Sequence, residues 1–171
     1  MERTLILLKP DAVQRGIIGE IITRLERVGL RIVGTKMLRP EAEHYYHHYE
    51  NISKMVSRRG QAAFDVTLHA MQEGPVVAIV LEGVEAVGIV RKMVGTTEPK
   101  EAAPGTIRGD YAHTSFAHTT KEGVGIYNLI HASGDTKEAE EEINHWFADS
   151  ELFDYETAHQ HFTQTKSSKS S

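Results

Sequence analysis

The chain has 171 residues, a length typical of one domain with its own hydrophobic core, and it contains no cysteine, which excludes a disulfide framework and a cysteine metal site. Its net charge of −5 at pH 7 argues against a broad surface for nucleic acid, although it allows a local basic pocket. The apolar runs are only long enough for strands, and the first residues lead directly into one of them, so we expect a cytoplasmic protein that does not contact a membrane.

The first half of the chain predicts two strands and three helices. Hydrophobic periodicity, proline and glycine mark their ends. In order, we predict a strand over 3–8 that stops at Pro10, a helix from 18 that ends near Gly29, a strand over 30–38, a helix over 41–49 and a helix over 62–71. The polar and basic run 51–60 between the last two helices predicts a loop.

The second half predicts two further strands, each followed by a helix. A strand over 76–81 precedes a helix over 83–94, and a strand over 126–130 precedes a helix over 136–147. Between these pairs, residues 95–125 show no clear periodicity, and a loop of that length inside a compact domain is usually functional or mobile. The low-complexity end of the chain predicts a disordered tail over 161–171, which leaves 1–160 as the domain.

This order of elements predicts an α+β fold. Two strand–helix–strand units on one small sheet are typical of the ferredoxin-like arrangement, a four-stranded antiparallel sheet with helices packed on it. Because folds of this kind host many activities, the function has to be argued from particular residues.

Residues 128–135 hold the main candidate for a site. The apolar run at their start delivers His131 to the end of a predicted strand, and Asp135 with Glu138 forms a capping pair for the next helix. A helix N-terminus close to a strand end favours a bound anion, and a neutral imidazole there can attack phosphorus to form a phosphohistidine. Alternatively, His131 is one of ten histidines in the chain and only packs or caps.

Four residues elsewhere can bind a polyphosphate near this histidine. Lys9 follows the first strand, and Arg91 lies late in a predicted helix. Thr97 and Arg108 lie in the long loop. Two arginines, a lysine and a hydroxyl can neutralise charge during phosphoryl transfer, although a single surface arginine is usually just solvated. Neither a Walker loop nor the protein-kinase signatures occur, so a kinase of this kind would use another design.

Three further residues can support the histidine. Glu142 can hydrogen-bond the imidazole of His131 or the hydroxyl of Ser133, which would fix the tautomer and leave the other ring nitrogen free. Alternatively, Glu142 is a solvated member of the acidic run 140–142. Tyr49 can place a phenol near the histidine, or it is a half-buried tyrosine without a role in a site.

A histidine metal site is a third possibility for function. His44 and His48 lie at i and i+4 of a predicted helix, with His47 between them, and His113 and His118 lie in the long loop. Because no cysteine or carboxylate completes a ligand set, we expect these to be solvated surface histidines.

Four segments together resemble the nucleoside diphosphate kinase family. They are RTLILLKPDAVQRG at 3–16, GPVVAIVLEG at 74–83, PGTIRGD at 104–110 and NLIHAS at 128–133. The similarity extends over about 3–155, and four motifs in the family's order are a specific signal.

This resemblance implies an enzyme that takes the γ-phosphoryl group of a nucleoside triphosphate onto a histidine and passes it to a nucleoside diphosphate by a ping-pong mechanism, balancing nucleoside triphosphate pools. His131 matches the nucleophile. The positions matching the family's nucleotide-contacting residues are Lys9, which also counts among the catalytic residues, Arg91, Thr97, Arg108 and Asn128. The positions matching the residues that support the histidine are Tyr49, Ser133 and Glu142.

The resemblance also implies a cofactor and partners. Mg²⁺ is expected to arrive with the nucleotide, bridging its phosphates, without a cage of protein ligands. Members of the family are homo-oligomers, usually hexamers or tetramers built from dimers. Nucleoside tri- and diphosphates are the expected ligands, with neither nucleic acid nor a membrane as a partner.

The chain departs from the family's pattern at an aromatic position. The family usually has Arg-Pro-Phe-Phe where residues 61–64 read QAAF. The ring that stacks on the nucleobase is therefore missing at Ala63, unless Phe64 or a neighbour replaces it. This departure, together with Tyr127, favours an alternative function, a non-catalytic module that binds nucleotide on the same fold.

Two segments are also longer than usual in the family. One lies between Tyr49 and Gln61, and the other is the loop 111–127, in which Tyr127 stands where many members have arginine. Since that loop helps to build subunit contacts in the family, the type of oligomer stays open.

Overall fold

In a computed structural model of the chain, which describes residues 1–163, four strands form one antiparallel sheet. The strands are β1 (Glu2–Leu8), β2 (Arg31–Leu38), β3 (Val76–Gly83) and β4 (Ile130–Ala132). Their order across the sheet is β2-β3-β1-β4, and each neighbouring pair is antiparallel. The prediction of an α+β, ferredoxin-like fold is therefore confirmed.

Helices occupy much of the remaining chain. They are α1 (Pro10–Gln14), α2 (Ile18–Arg27), α3 (Ala42–Tyr46), α4 (Met55–Arg59), α5 (Gln61–Gln72), α6 (Ala86–Val94), α7 (Ile107–Tyr111), α8 (Phe116–Glu122), α9 (Thr136–Trp146) and α10 (Gln160–Thr163). A π-helical turn, His47–Ile52, continues α3, and 3₁₀ turns occupy Pro99–Glu101 and Asp149–Glu151. Within residues 1–163, no helix is both long and apolar enough to cross a membrane.

The alternation of side chains along β1 divides the core into two layers. Leu5 and Leu7 point to one face of the sheet, Ile6 and Leu8 point to the other, and all four are fully buried. Helices α2 and α6 cover the face of Ile6 and Leu8, and α3, α5 and α9 cover the opposite face. Because both faces are covered, β1 and β3 have to be apolar almost throughout.

The last strand lies later in the chain than predicted. β4 covers Ile130–Ala132, whereas the apolar run predicted a strand over 126–130. Leu129 is fully buried without pairing in the sheet, so burial and strand pairing do not coincide here. His131 is consequently a member of the strand, opposite Leu7 of β1, and does not follow its end.

Two segments predicted as loops contain helices. Helix α4 interrupts the predicted loop 51–60, and α7 and α8 lie within the predicted loop 95–125. These helices are only 5, 5 and 7 residues long, too short to show a clear hydrophobic period. Helix α1 also lacks such a period, and it begins at Pro10, whose fixed φ suits a first helical turn.

The predicted tail 161–171 starts within α10 (Gln160–Thr163). Its remainder, residues 164–171, lies outside the described residues. The division into a domain over 1–160 and a disordered tail therefore stays a prediction.

Replacing Ile79 by alanine tests the centre of the sheet. Ile79 in β3 is fully buried, so we expect Ile79→Ala to lower the free energy of unfolding by about 2–5 kcal/mol, because apolar contacts are lost and a cavity is left. Urea denaturation followed by circular dichroism measures this change. Val84→Ala is the control, since Val84 is 47% exposed and its truncation should change that free energy by less than about 0.5 kcal/mol. Equal losses in the two variants would contradict this assignment of the core.

Candidate active site

A hydrogen bond joins His131 to Glu142. His131 lies in β4, and its Nε2 is 2.8 Å from Oε1 of Glu142 in α9. The strand turns almost directly into α9, and Asp135 caps the helix by accepting a hydrogen bond on Oδ1 from the backbone N of Glu138 at 2.8 Å. Because α9 folds back and packs on β1, it brings Glu142 to the histidine.

The protonation state of this pair follows from its surroundings. Burial by itself raises the pKa of Glu142, but the interaction with His131 and the hydrogen bond from the hydroxyl of Ser133 lower that pKa below its ordinary value. The carboxylate is therefore ionised at neutral pH and can only accept hydrogen bonds. It follows that Nε2 of His131 carries a proton and donates it, so that in the neutral tautomer the lone pair is on Nδ1.

Ser133 ties the carboxylate to the centre of the sheet. Its hydroxyl donates to Oε2 of Glu142 at 2.6 Å and accepts from the backbone N of Leu5 at 3.1 Å. Ser133 and Glu142 are both fully buried. Each carboxylate oxygen thus has a partner, and the orientation of His131 is fixed through β1.

Two buried rings pack beside His131. The centroid of the Tyr49 ring is 6.3 Å from that of His131, and the centroid of His48 is 4.6 Å from it. The Tyr49 hydroxyl is buried and has no hydrogen-bond partner in the part of the chain that the structure describes, and burial raises its pKa. Nδ1 of His48 accepts a hydrogen bond from Nε1 of Trp146 at 3.2 Å. Burial lowers the pKa of His48 well below its ordinary value, so this ring is neutral.

The prediction that His48 is a solvated surface residue is wrong. Its side chain is fully buried, and it touches both His131 and Tyr49 edge-on. The spacing of Tyr45, His48 and Tyr49, on one face of a helix, is the sequence signal that could have indicated burial.

The histidines considered for a metal site do not come together. The exposed members of that set are His47, His113 and His118. The ring of His44 stacks on His145, with centroids 3.9 Å apart, so His44 and His48 each have other partners. Among residues 1–163, a group of three side chains close enough to share a metal ion consists of His48, His131 and Glu142, whose ligand atoms lie within 4.8 Å of one another. An ion there would have to displace the proton that His131 shares with Glu142.

A cavity of about 1040 Å³ opens beside the histidine. The residues predicted from the sequence that line this cavity are His131, Tyr49, Lys9, Arg91, Thr97, Arg108 and Asn128. The other two, Ser133 and Glu142, support His131 from the protein interior. The structure thus places all nine around one cavity.

Lys9 is held in position by Asn128. Nζ of Lys9 donates to Oδ1 of Asn128 at 2.7 Å, and Nδ2 of Asn128 donates to the backbone O of Thr97 at 2.8 Å. Burial lowers the pKa of Lys9 to about 8, with Asp11 opposing and the positive Arg108 adding to this effect. Lys9 is therefore a cation at neutral pH whose charge is poorly compensated.

Arg108 is almost completely buried and organises the backbone near His131. Its Nε donates to the O of Asn128 at 3.2 Å, Nη1 donates to the O of Gly95 at 3.0 Å, and Nη2 donates to the O of Ile130. Burial lowers the pKa of Arg108 to about 10, and the neighbouring charge of Arg91 acts in the same direction. A guanidinium has five N–H donors, so two remain for a ligand.

Asp11 is a part of the site that sequence reasoning missed. Its Oδ2 accepts from the backbone N of Leu129 at 3.0 Å, and the O of Leu129 accepts from the backbone N of Lys9 at 2.8 Å. Leu129 has φ +70°, a left-handed conformation that is strained by roughly 1–3 kcal/mol in a residue with a side chain. The two hydrogen bonds hold this strained turn directly before β4. The signal in the sequence is an aspartate two positions after Lys9, at the start of a helix.

Comparison with known proteins gives one family. The chain matches the family model "Nucleoside diphosphate kinase" over residues 2–152. A nucleoside diphosphate kinase from Borreliella burgdorferi is 43% identical over 155 residues, which cover 91% of this chain and 92% of that protein. One from Pyrococcus furiosus is 46% identical over 155 residues, which cover 91% of this chain and 88% of that protein.

Solved structures of the same family superpose on this chain. A transition-state mimic of nucleoside diphosphate kinase from Borrelia burgdorferi, with bound vanadate and ADP, has a TM-score of 0.91 and 41% identity and covers 95% of this chain and 96% of its own. A halophilic nucleoside diphosphate kinase from Halobacterium salinarum in complex with CDP has a TM-score of 0.80 and 40% identity. It covers 95% of this chain and 97% of its own. The chain therefore belongs to the nucleoside diphosphate kinase family of phosphotransferases.

Proposed function

We propose that this protein transfers the γ-phosphoryl group of a nucleoside triphosphate to a nucleoside diphosphate in two steps, through a phosphohistidine on Nδ1 of His131. The observation that carries the proposal is the 2.8 Å hydrogen bond between Nε2 of His131 and the ionised Glu142. It leaves a lone pair on Nδ1, in a cavity lined by Lys9, Arg91 and Arg108. The complex of the Borrelia burgdorferi enzyme with vanadate and ADP supports phosphoryl transfer in a protein of this fold.

In the first step, the lone pair of Nδ1 attacks the γ-phosphorus and a P–N bond forms. The bond from that phosphorus to the β,γ-bridging oxygen breaks, and the leaving diphosphate takes the electron pair. The ring becomes positively charged with its proton still on Nε2, and the carboxylate of Glu142 stabilises that charge. In the second step, a β-phosphate oxygen of another diphosphate attacks the same phosphorus, the P–N bond breaks and Nδ1 recovers its lone pair.

The cations of the cavity have the role of holding the phosphates. Charge spreads over the outer oxygens of a phosphoryl group in transfer, and fixed positive side chains stabilise it. Lys9, Arg91 and Arg108 supply these charges, and Asn128 positions Lys9. The buried hydroxyl of Tyr49, which has no partner within residues 1–163, would donate a hydrogen bond to a bound phosphate.

Magnesium fits this cavity as a companion of the nucleotide. The carboxylates that line it, Asp135 and Glu138, already accept hydrogen bonds from backbone N–H groups. The cationic side chains around these carboxylates favour the binding of phosphates over that of a metal ion without its nucleotide. When bound with the nucleotide, Mg²⁺ would neutralise part of the negative charge of the phosphates.

The proposal includes assembly into a homo-oligomer, a hexamer or a tetramer built from dimers. It is supported by the resemblance to the family and by β2, an edge strand whose Met37 is 57% exposed. Light scattering in solution gives the number of subunits. A cytoplasmic location, and the expectation of neither nucleic acid nor a membrane as a partner, stay predictions.

Incubation with γ-labelled ATP and Mg²⁺ should label the protein on His131. A P–N bond is acid-labile and base-stable, so the label should survive alkali and be lost in acid. His131→Ala should abolish both the label and phosphate exchange between ATP and a second diphosphate. His69→Ala is the matched control, because His69 is an exposed histidine on α5. Exchange activity retained in His131→Ala would overturn the assignment, and ADP binding by the unmodified protein without label or exchange would indicate a non-catalytic module.

Glu142→Gln should lower kcat by roughly 10²- to 10⁴-fold with little change in KM, because the variant loses the charge that stabilises the phosphorylated ring. Steady-state kinetics with ATP and a second nucleoside diphosphate measure both constants. Glu140→Gln is the control, since Glu140 is exposed on the same helix. Similar kcat values for the two variants would mean that Glu142 does not act on His131.

The affinity of the free protein for ADP should fall as the pH rises through the pKa of Lys9. Burial lowers that pKa to about 8, so the ammonium loses its charge there and the phosphates lose a cationic partner. Calorimetric titration at a series of pH values on both sides of this pKa gives the affinities. Lys9→Gln should bind ADP more weakly and without this pH dependence. If the affinity of Lys9→Gln for ADP declines with pH as in the unmodified protein, another group causes the decline.

A further inference from the structure

The cavity beside His131 has apolar as well as cationic walls. Its apolar lining includes Ala62, Ala63, Val66, Phe116, Val124 and Ile126. A nucleotide has the same two parts, charged phosphates and a flat aromatic base. If the cations hold the phosphates, the apolar side chains form the place for the base; this step rests on the proposed function.

The aromatic ring that the family presents near this place is absent from Ala63, and Phe64 does not replace it. The side chain of Phe64 is only 4% exposed and packs in the core. Its ring meets Tyr46 edge-on, with centroids 5.6 Å apart. Phe116, from α8, is in contrast an aromatic ring within the apolar lining.

Phe116 reaches the cavity because two unusual segments of the chain meet there. Helix α4 lies in the first long segment, between Tyr49 and Gln61, and α8 lies in the second, the loop 111–127. The guanidinium carbon of Arg59, at the end of α4, is 5.3 Å from the centroid of the Phe116 ring. The two segments therefore meet at the cavity, in which the ring expected at Ala63 is missing.

The backbone of Phe116 is fixed by several hydrogen bonds. Its N–H donates to Oε1 of Glu98 at 2.9 Å, and its O accepts from the hydroxyl of Thr119 at 3.3 Å. Ser115 caps the same helix by accepting from the N of His118 at 3.3 Å. A ring on such a rigid support loses little conformational freedom when a ligand stacks on it.

We propose that Phe116 is the stacking surface for the nucleobase and takes the place of the ring missing at Ala63. Stacking needs only the π-face of a base, so this arrangement accepts purines and pyrimidines alike. In the structure, the flat guanidinium of Arg59 lies over this ring. A bound base would take the position over the ring that Arg59 now occupies. Arg59 is exposed, and it is close enough to Lys9 and Arg108 to lower the pKa of both. Its side chain can therefore turn from the ring to the phosphates.

Calorimetric binding of ADP and of inorganic pyrophosphate tests this assignment, because pyrophosphate keeps the diphosphate and lacks the nucleoside with its base. Phe116→Ala should weaken ADP binding roughly 5- to 150-fold, the range expected for one lost stacking contact, and leave pyrophosphate binding unchanged. In turnover, the KM for nucleoside diphosphates should rise by the same factor while kcat stays constant, since stacking is equal in the ground and transition states. Phe116→Tyr should restore the affinity.

Phe153→Ala is the matched control, since Phe153 is 64% exposed and lies in the segment that runs along β2. Phe116→Leu, which keeps an apolar side chain but has no π-face, should behave like Phe116→Ala and remain folded by its melting temperature. Unchanged ADP binding in Phe116→Ala and Phe116→Leu, or an equal loss for pyrophosphate, would overturn the assignment. Because both ligands bind without transfer, a failure of the phosphohistidine proposal would show separately, as absent labelling with binding intact.

Discussion

The hydrogen bonds of one buried carboxylate, Glu142, organise the candidate site. Its two oxygens accept from His131 and Ser133, which places β4, α9 and β1 in a fixed relation. A buried negative charge is costly unless it has such partners, and removing one of them leaves the charge uncompensated. The folded chain therefore holds the imidazole with Nε2 protonated, and this one constraint leaves Nδ1 as the nitrogen for the proposed transfer.

The positive side chains of the cavity are the second part of the account. Besides burial, the charge of Arg108 lowers the pKa of Lys9, and that of Arg91 lowers the pKa of Arg108. An amide oxygen holds Lys9, and backbone oxygens hold Arg108. The strained turn at Leu129 stands beside them. Charge repulsion and backbone strain are unfavourable in the free protein, and a polyphosphate relieves the repulsion. This pattern is typical of a site that is organised for its ligand before the ligand binds.

The sequence predicts those parts of the structure that depend on local patterns. Apolar runs locate three of the four strands, and the capping pair of Asp135 and Glu138 locates the start of α9. The choice of Glu142 over its acidic neighbours depends on how α9 packs on β1, which no local pattern contains. Short helices such as α4 and α8 have no period to detect, so the approach of Phe116 to the cavity emerges only from the folded chain. The burial of His48 also depends on contacts that form only in the folded chain.

The most direct measurement is the position of the phosphoryl group on the ring after reaction with a triphosphate alone. Phosphorus and proton magnetic resonance of the phosphorylated protein, kept at alkaline pH, distinguishes the two imidazole nitrogens. With Nε2 held by the buried carboxylate, the group should be on Nδ1 of His131. A phosphoryl group on Nε2, or on a hydroxyl such as that of Ser133, would contradict the account.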